Sequence, residues 1–300
     1  MSAMRQTART DEGGAAAGDG IAGDGPVARK ASTEENFPVA SLLLPAGLRP
    51  QVMAFYAFVR LADDIADDPD LDCEAKLARL DAFEAALDAG EGEGDWRAPA
   101  AVLRQSLDAS GVPDRFARDL LRAFRSDARN APCRDWDDLI DYCRYSAMPV
   151  GRFLMALHGE DEGPGAASDA LCTALQILNH LQDCGDDWRQ LQRLYVPLSW
   201  LQEEGLEADA LLASSASPAL RRVLDRALAG VDELLAEARP LGRLMRNRRL
   251  GLESAVIVNL AVALRGELDR RDPLAERVEL SKPKRLWVGL GGIVQGLLRR

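Results

Sequence analysis

Apolar residues recur every three or four positions along most of the chain, and no stretch alternates apolar and polar residues for the length of a strand. The clearest stripe, Leu171, Ala174, Leu175, Leu178 and Leu181, predicts a buried helix over 171–188. A second, Val52, Phe55, Tyr56, Val59, Ala62 and Ala66, predicts a helix over 50–68, with Pro50 suited to its first turn. Segments 76–87, 98–110, 113–126, 201–212, 218–238, 240–245 and 250–268 have the same periodicity, and 90–95 reads as a loop. Segment 135–158 reads as one long helix kinked at Pro149, beside the small residues Ser146, Ala147 and Gly151. No period indicates repeats, and no apolar run reaches the length of a membrane span. The predicted fold class is all-α.

Polar positions sharpen this picture. Gln176, Asn179, Asp183 and Asp187 are spaced three, four and four apart. At about 100° per residue they fall within a sector of roughly 80°, adjoining the apolar stripe rather than opposing it. A solvated face sets its charges opposite the stripe, whereas a row on its shoulder points into the rim of a cavity. Side-chain oxygens of Asn and Asp one turn apart are hard ligands, suited to magnesium that stays partly hydrated and bridges to a substrate phosphate. On the other helix Asp63 and Asp67 flank the stripe in the same way, while Asp64 and Asp68 turn further toward water. Arg60, one turn earlier, suits a carboxylate or a phosphate oxygen. A lone acidic turn is most often a solvated face or a helix end. Two such rows facing one apolar cavity make a clamp for a magnesium diphosphate, with room for a hydrophobic tail between them.

Composition removes some alternatives. The 300 residues allow one or two domains, nothing separates two, and 47% hydrophobic residues can bury a sizeable core. A net charge of −11 argues against a nucleic-acid partner, which needs clustered Lys and Arg. Diphosphate binding survives that objection, since a bound cation supplies the positive field. Cys73, Cys133, Cys143, Cys172 and Cys184 form no CxxC pair and no zinc spacing with His158 or His180. Their odd number predicts a reducing cytoplasm, with the thiols packed as small hydrophobes. Both histidines read as structural or exposed, with His180 close to the aspartate row.

Residues 1–32 lack periodicity and an apolar core, and read as a disordered tail. Asp127 and Arg129 are expected near the cavity mouth, and Tyr142 and Tyr145 are placed to stabilise a cation. No GxGxxG follows a strand, so no Rossmann cofactor site is evident. The segment 286–298, flanked by Lys282, Lys284, Arg285, Arg299 and Arg300, is too short to span a bilayer. It either lies on a membrane surface through Trp287, Ile293 and Leu297 or forms a last core helix.

These motifs bring a family into view. Arg60-Leu61-Ala62-Asp63-Asp64-Ile65-Ala66-Asp67 resembles the first aspartate motif of squalene and phytoene synthases. Gln176-Ile177-Leu178-Asn179-His180-Leu181-Gln182-Asp183-Cys184-Gly185-Asp186-Asp187 resembles their second. The resemblance runs from about Glu35 to the C-terminus. Within the family, Glu35-Asn36-Phe37-Pro38-Val39-Ala40-Ser41, the run from Tyr142 to Arg152, and Gln182-Asp183 are similar to the hydroxysqualene synthase branch.

The resemblance implies a terpenoid-synthase helical fold, with residues 33–300 forming one domain around a central cavity. It implies Mg2+ held by Asp63, Asp67, Asn179, Asp183 and Asp187, with Tyr142 joining the aspartates in catalysis. Tyr56, Arg60, Gln176 and Asn179 become candidate substrate contacts. So do Arg193 and Tyr195, in a run that resembles the family's basic turn and Arg-x-Tyr-x-Pro ending. The segment near 35–44 is then expected to close over the diphosphate pocket.

The implied reaction is magnesium-dependent ionisation of presqualene diphosphate and capture by water, giving hydroxysqualene and diphosphate. The alternative is head-to-head condensation of two prenyl diphosphates into presqualene diphosphate, squalene or phytoene. Gln182, where condensing relatives commonly carry Arg, argues for a substrate with a single diphosphate. A non-catalytic assembly role is disfavoured by the retained aspartates. A cytoplasmic location, peripheral contact with the inner membrane face and companion squalene-pathway enzymes are the implied setting.

Overall fold

The predicted stripes become helices in a computed structural model that describes residues 45–92 and 95–298. The 1–32 tail and the 35–44 segment lie outside the described residues. Among those described, the secondary structure is helical throughout, with no strand. Helix α1 (Arg49–Asp67) follows a 3-10 turn and carries Pro50 in its first turn. The Asp72 side chain caps α2 (Cys73–Ala89), which Gly90 stops at φ 66°. Next come α3 (Ala98–Ser110), stopped by Gly111 at φ 70°, and α4 (Arg115–Ala128).

The 135–158 segment is not a single kinked helix. It divides into α5 (Trp136–Ser146) and α6 (Met148–Leu157), with the break at Ala147, φ −126° and ψ −50°. A proline is tolerated in a first turn but removes a bond in a helix interior, so a new start at Met148 relieves the conflict. Helix α7 (Gly165–Asp186) runs into a π-helical turn, Asp187–Leu191. The 201–212 reading is also corrected. Helix α8 (Leu198–Glu203) ends before Gly205, whose φ of 69° stops it, and a 3-10 turn, Ala208–Leu212, follows. The chain closes with α9 (Pro218–Ala238), α10 (Leu241–Leu244), α11 (Arg248–Arg270) and α12 (Lys282–Leu298).

Two apolar clusters hold these helices. One joins α1 to α4 with Phe153 of α6, where Phe55 stacks on Phe153 at 3.8 Å and Phe58 on Phe83 at 4.6 Å. The other joins α7, α9 and α11 with α5. Cys133, Cys143 and Cys184 pack as small hydrophobes, as read, but Cys73 is exposed at the first residue of α2.

The C-terminal helix packs on one side and is exposed on the other. Helix α12 packs along α11, and Gly292 sits so close that an added Cβ would lie 2.8 Å from Val256 Cα. On its other side Leu286 and Trp287 are 65% and 76% exposed. The side chains of Ile293 and Leu297 lie outside the described residues. No helix among the described residues is long and apolar enough to cross a membrane.

Candidate active site

Between the two clusters lies a cavity of about 1000 Å³. One part of its wall is apolar, with Val52 and Phe55 from α1, Phe153 from α6, Leu171 and Leu175 from α7, and Ile257 from α11. Another part is polar. Asp63 and Asp67 enter from α1, Gln176, Asn179 and Asp183 from α7, and Asp187 from the π-helical turn. Tyr56, Arg60, Tyr142, Arg193 and Tyr195 join them, so every residue of the implied metal, catalytic and substrate-binding sets lines this one cavity.

The acidic residues of α1 have built-in counter-charges. Arg60 donates to Asp63 Oδ2 at 2.6 Å and to Asp64 Oδ1 at 2.5 Å. Asp64 is only 6% exposed, which corrects its expected turn toward water. Helices α2, α3 and α4 all pack on α1 and cover the face opposite the cavity, so the carboxylate there survives burial through its arginine. Arg193, itself buried, reaches across from the far side to Asp67 Oδ1 and to the Ala66 carbonyl at 2.9 Å. Burial first, and then repulsion from Asp67, pushes the Asp63 carboxyl up to about 7.

A second polar cluster adjoins this one. Asp127, at the end of α4, accepts hydrogen bonds from Tyr142 at 3.0 Å and Tyr195 at 2.9 Å. Burial raises the Asp127 carboxyl, against the opposing pull of Arg193 and the two phenols. Burial also holds both phenols well above their ordinary value. His180 stacks on Tyr195 at 3.7 Å, its Nε2 lies 3.1 Å from the Gln176 amide, and its Nδ1 lies 3.8 Å from Asp187 Oδ2. His180 therefore belongs to the cavity wall. The sequence held one signal of this, its four-residue spacing from Gln176.

Several expectations are corrected by position. Asp127 lines the cavity wall, but Arg129 is exposed and donates to the Arg125 carbonyl. Tyr145 lies beneath Arg122 at 3.8 Å and does not line the cavity. Gln182 is buried away from it, its amide donating to the Val278 carbonyl. One residue along a helix is a turn of about 100°, so Gln182 faces a different neighbour from Asp183. The Gln182 side chain therefore takes no direct part in the cavity wall.

The oxygen donors suit a divalent cation of the magnesium type. Among the described residues no three His, Cys, Asp or Glu side chains converge into a ready-made cage. Magnesium does not require one, because it is commonly bound through one or two carboxylates, waters and substrate phosphates. Two facing acidic rows, with the Asp63 carboxyl raised by crowding and burial, fit ions shared with a diphosphate.

An all-helical body around a cavity with acidic residues on part of its wall and apolar residues on the rest defines the isoprenoid synthases of the terpenoid-synthase fold. A family model described as squalene/phytoene synthase matches residues 30–284, and the chain belongs to that family of prenyl-diphosphate-processing enzymes. It is 45% identical over 271 residues to the hydroxysqualene synthase of Rhodopseudomonas palustris, covering 90% of this chain and 92% of that protein. It is 43% identical over 278 residues to the hydroxysqualene synthase of Sinorhizobium fredii, covering 93% and 94%. Among solved structures it resembles squalene synthase HpnC from Alicyclobacillus acidocaldarius, with a TM-score of 0.69 and 34% identity. That match covers 80% of this chain and 90% of the other.

Proposed function

We propose that the chain converts presqualene diphosphate and water into hydroxysqualene and diphosphate. The observation that carries this reading is the meeting of acidic rows from α1 and α7 at one apolar cavity, in a chain closely similar to hydroxysqualene synthases. Asp63, Asp67, Asn179, Asp183 and Asp187 would hold Mg2+, which neutralises the charge developing on the departing diphosphate. Arg60 and Arg193, already among the carboxylates, are placed to exchange them for phosphate oxygens once metal is bound. Tyr56, Gln176 and Tyr195 contact the substrate, and the apolar wall shields the carbocation from bulk water. No protein nucleophile is required.

In this reading residues 33–300 act as one catalytic domain, with 1–32 as a tail outside it. The setting is cytoplasmic, beside companion squalene-pathway enzymes that supply the substrate and take the product. The exposed Leu286, Trp287 and Leu290 of α12 provide peripheral contact with the inner membrane face. Purified protein with Mg2+ and presqualene diphosphate, without NADPH, is expected to release diphosphate and form hydroxysqualene. Farnesyl diphosphate alone is expected to give nothing. Product from farnesyl diphosphate would establish the head-to-head condensation instead.

A further inference from the structure

Water capture leaves a proton that some group must accept, and in the functional reading above the α1 carboxylates Asp63 and Asp67, paired here with Arg60 and Arg193, are taken up by metal. We propose that Asp127, acting through the Tyr142 hydroxyl, accepts the proton lost by the water that captures the substrate carbocation. This rests on the functional reading above and adds to it the group that handles water.

The geometry supplies the path. Tyr142 lines the cavity and gives its one hydroxyl proton to Asp127 Oδ2 at 3.0 Å, which leaves the phenol oxygen's lone pairs for another donor. Tyr195 donates to the other carboxylate oxygen at 2.9 Å, so Asp127 is held between two phenols contributed by different elements. The guanidinium of Arg193 is engaged elsewhere, paired with Asp67 and donating to the Ala66 carbonyl. Burial raises the affinity of Asp127 for a proton, and it keeps the Tyr142 phenol from ionising by itself. A relay is therefore favoured over a free tyrosinate.

The step balances without a redox partner. The carbon–oxygen bond to diphosphate breaks, and its electron pair leaves with diphosphate. A lone pair of water forms the new carbon–oxygen bond. One proton of that water passes to the Tyr142 oxygen as the proton of Tyr142 passes to Asp127 Oδ2. Asp127 is thus a positioning residue and proton store, while Tyr142 touches the reacting water.

The test separates ionisation from capture. Wild type, Asp127→Asn and Tyr142→Phe are given presqualene diphosphate and Mg2+, and both diphosphate release and alcohol yield are measured. In both variants the alcohol formed per diphosphate released should drop on the order of tenfold or more, with hydrocarbons from proton loss in its place. A wild-type ratio in both variants overturns the proposal. So does a parallel fall in release and alcohol at constant ratio, which marks a structural or metal-binding role. Should Asp127→Asn melt before assay, Tyr142→Phe decides, because it removes only the hydroxyl.

Ser146 is the rival, since its buried hydroxyl lines the same cavity without a partner. Loss of alcohol in Ser146→Ala, with Asp127→Asn unaffected, would place the water there and overturn the proposal. A wild type that releases diphosphate yet makes no alcohol overturns the functional reading itself, which sets that failure apart from the others.

Discussion

Helices α1 and α7 carry the same sequence device, carboxylates on the shoulder of an apolar stripe, yet they reach the cavity in different electrostatic states. On α1 the charges are compensated within the protein. Arg60 sits one turn before Asp63 and Asp64, Arg193 arrives from the opposite side at Asp67, and three helices cover the back. The 22 residues of α7 contain no Lys or Arg. Its row continues through a π-helical turn that keeps Asp187 on the cavity, 3.8 Å from His180. The α1 wall thus brings its counter-charges with it, while the α7 helix supplies none of its own.

The largest expected effect comes from breaking either row. Asp63→Asn and Asp183→Asn should each lower turnover about 1000-fold while circular dichroism and melting stay near wild type. Diphosphate release measures this, and an active Asp63→Asn/Asp183→Asn double variant would remove both rows from the chemistry. Arg193→Gln comes next, because it cuts the arginine bridge from the segment after the π-helical turn to Asp67 of α1. Urea unfolding should show a loss of about 2 kcal/mol. Titration with Mn2+ alone should show tighter binding, because Asp67 loses its competing guanidinium.

The pH dependence is smaller and tests the α1 side alone. Burial, and then repulsion from Asp67, raises the Asp63 carboxyl from its ordinary 3.8 to about 7. Stability contributed by its proton is fully present below the lower value and is lost as pH rises through the higher one. Metal-free protein should therefore melt lower at pH 8 than at pH 5, with a weaker slope in Asp63→Asn. Metal affinity should run the opposite way and rise as the carboxyl ionises.

The smallest effect on the fold is expected from the exposed face of α12, a helix whose Lys282 and Arg285 line the cavity while Leu286, Trp287 and Leu290 do not. Replacing Leu286, Trp287 and Leu290 with Gln should change stability by no more than about 0.5 kcal/mol per site. Co-sedimentation with anionic lipid vesicles should fall nonetheless. Unchanged sedimentation would remove the membrane contact and leave α12 as a packing helix.

Much of the scaffold was legible in the sequence. The 98–110 and 218–238 readings coincide with α3 and α9, because proline starts and glycine or polar caps act locally. The three-and-four spacing put Gln176, Asn179 and Asp183 on one face of α7, a property of the helix alone, while Asp187 follows them through the π-helical turn. The 201–212 reading failed because Gly205 adopts a left-handed conformation that apolar periodicity does not encode. Tyr145 and Gln182 were misplaced for a related reason. Periodicity says which residues share a face, but not which neighbour covers it.

The sequence by itself determined the helices, the two acidic rows and the apolar stripes beside them, since each follows from spacing within one segment. The tertiary structure alone decided that Asp64 is buried with Arg60 and that Arg193 meets Asp67 across 126 positions of chain. It also decided that Asp127 lies between Tyr142 and Tyr195. The physical reason is that a side chain's partner depends on how helices pack, and packing brings together residues that no local pattern connects.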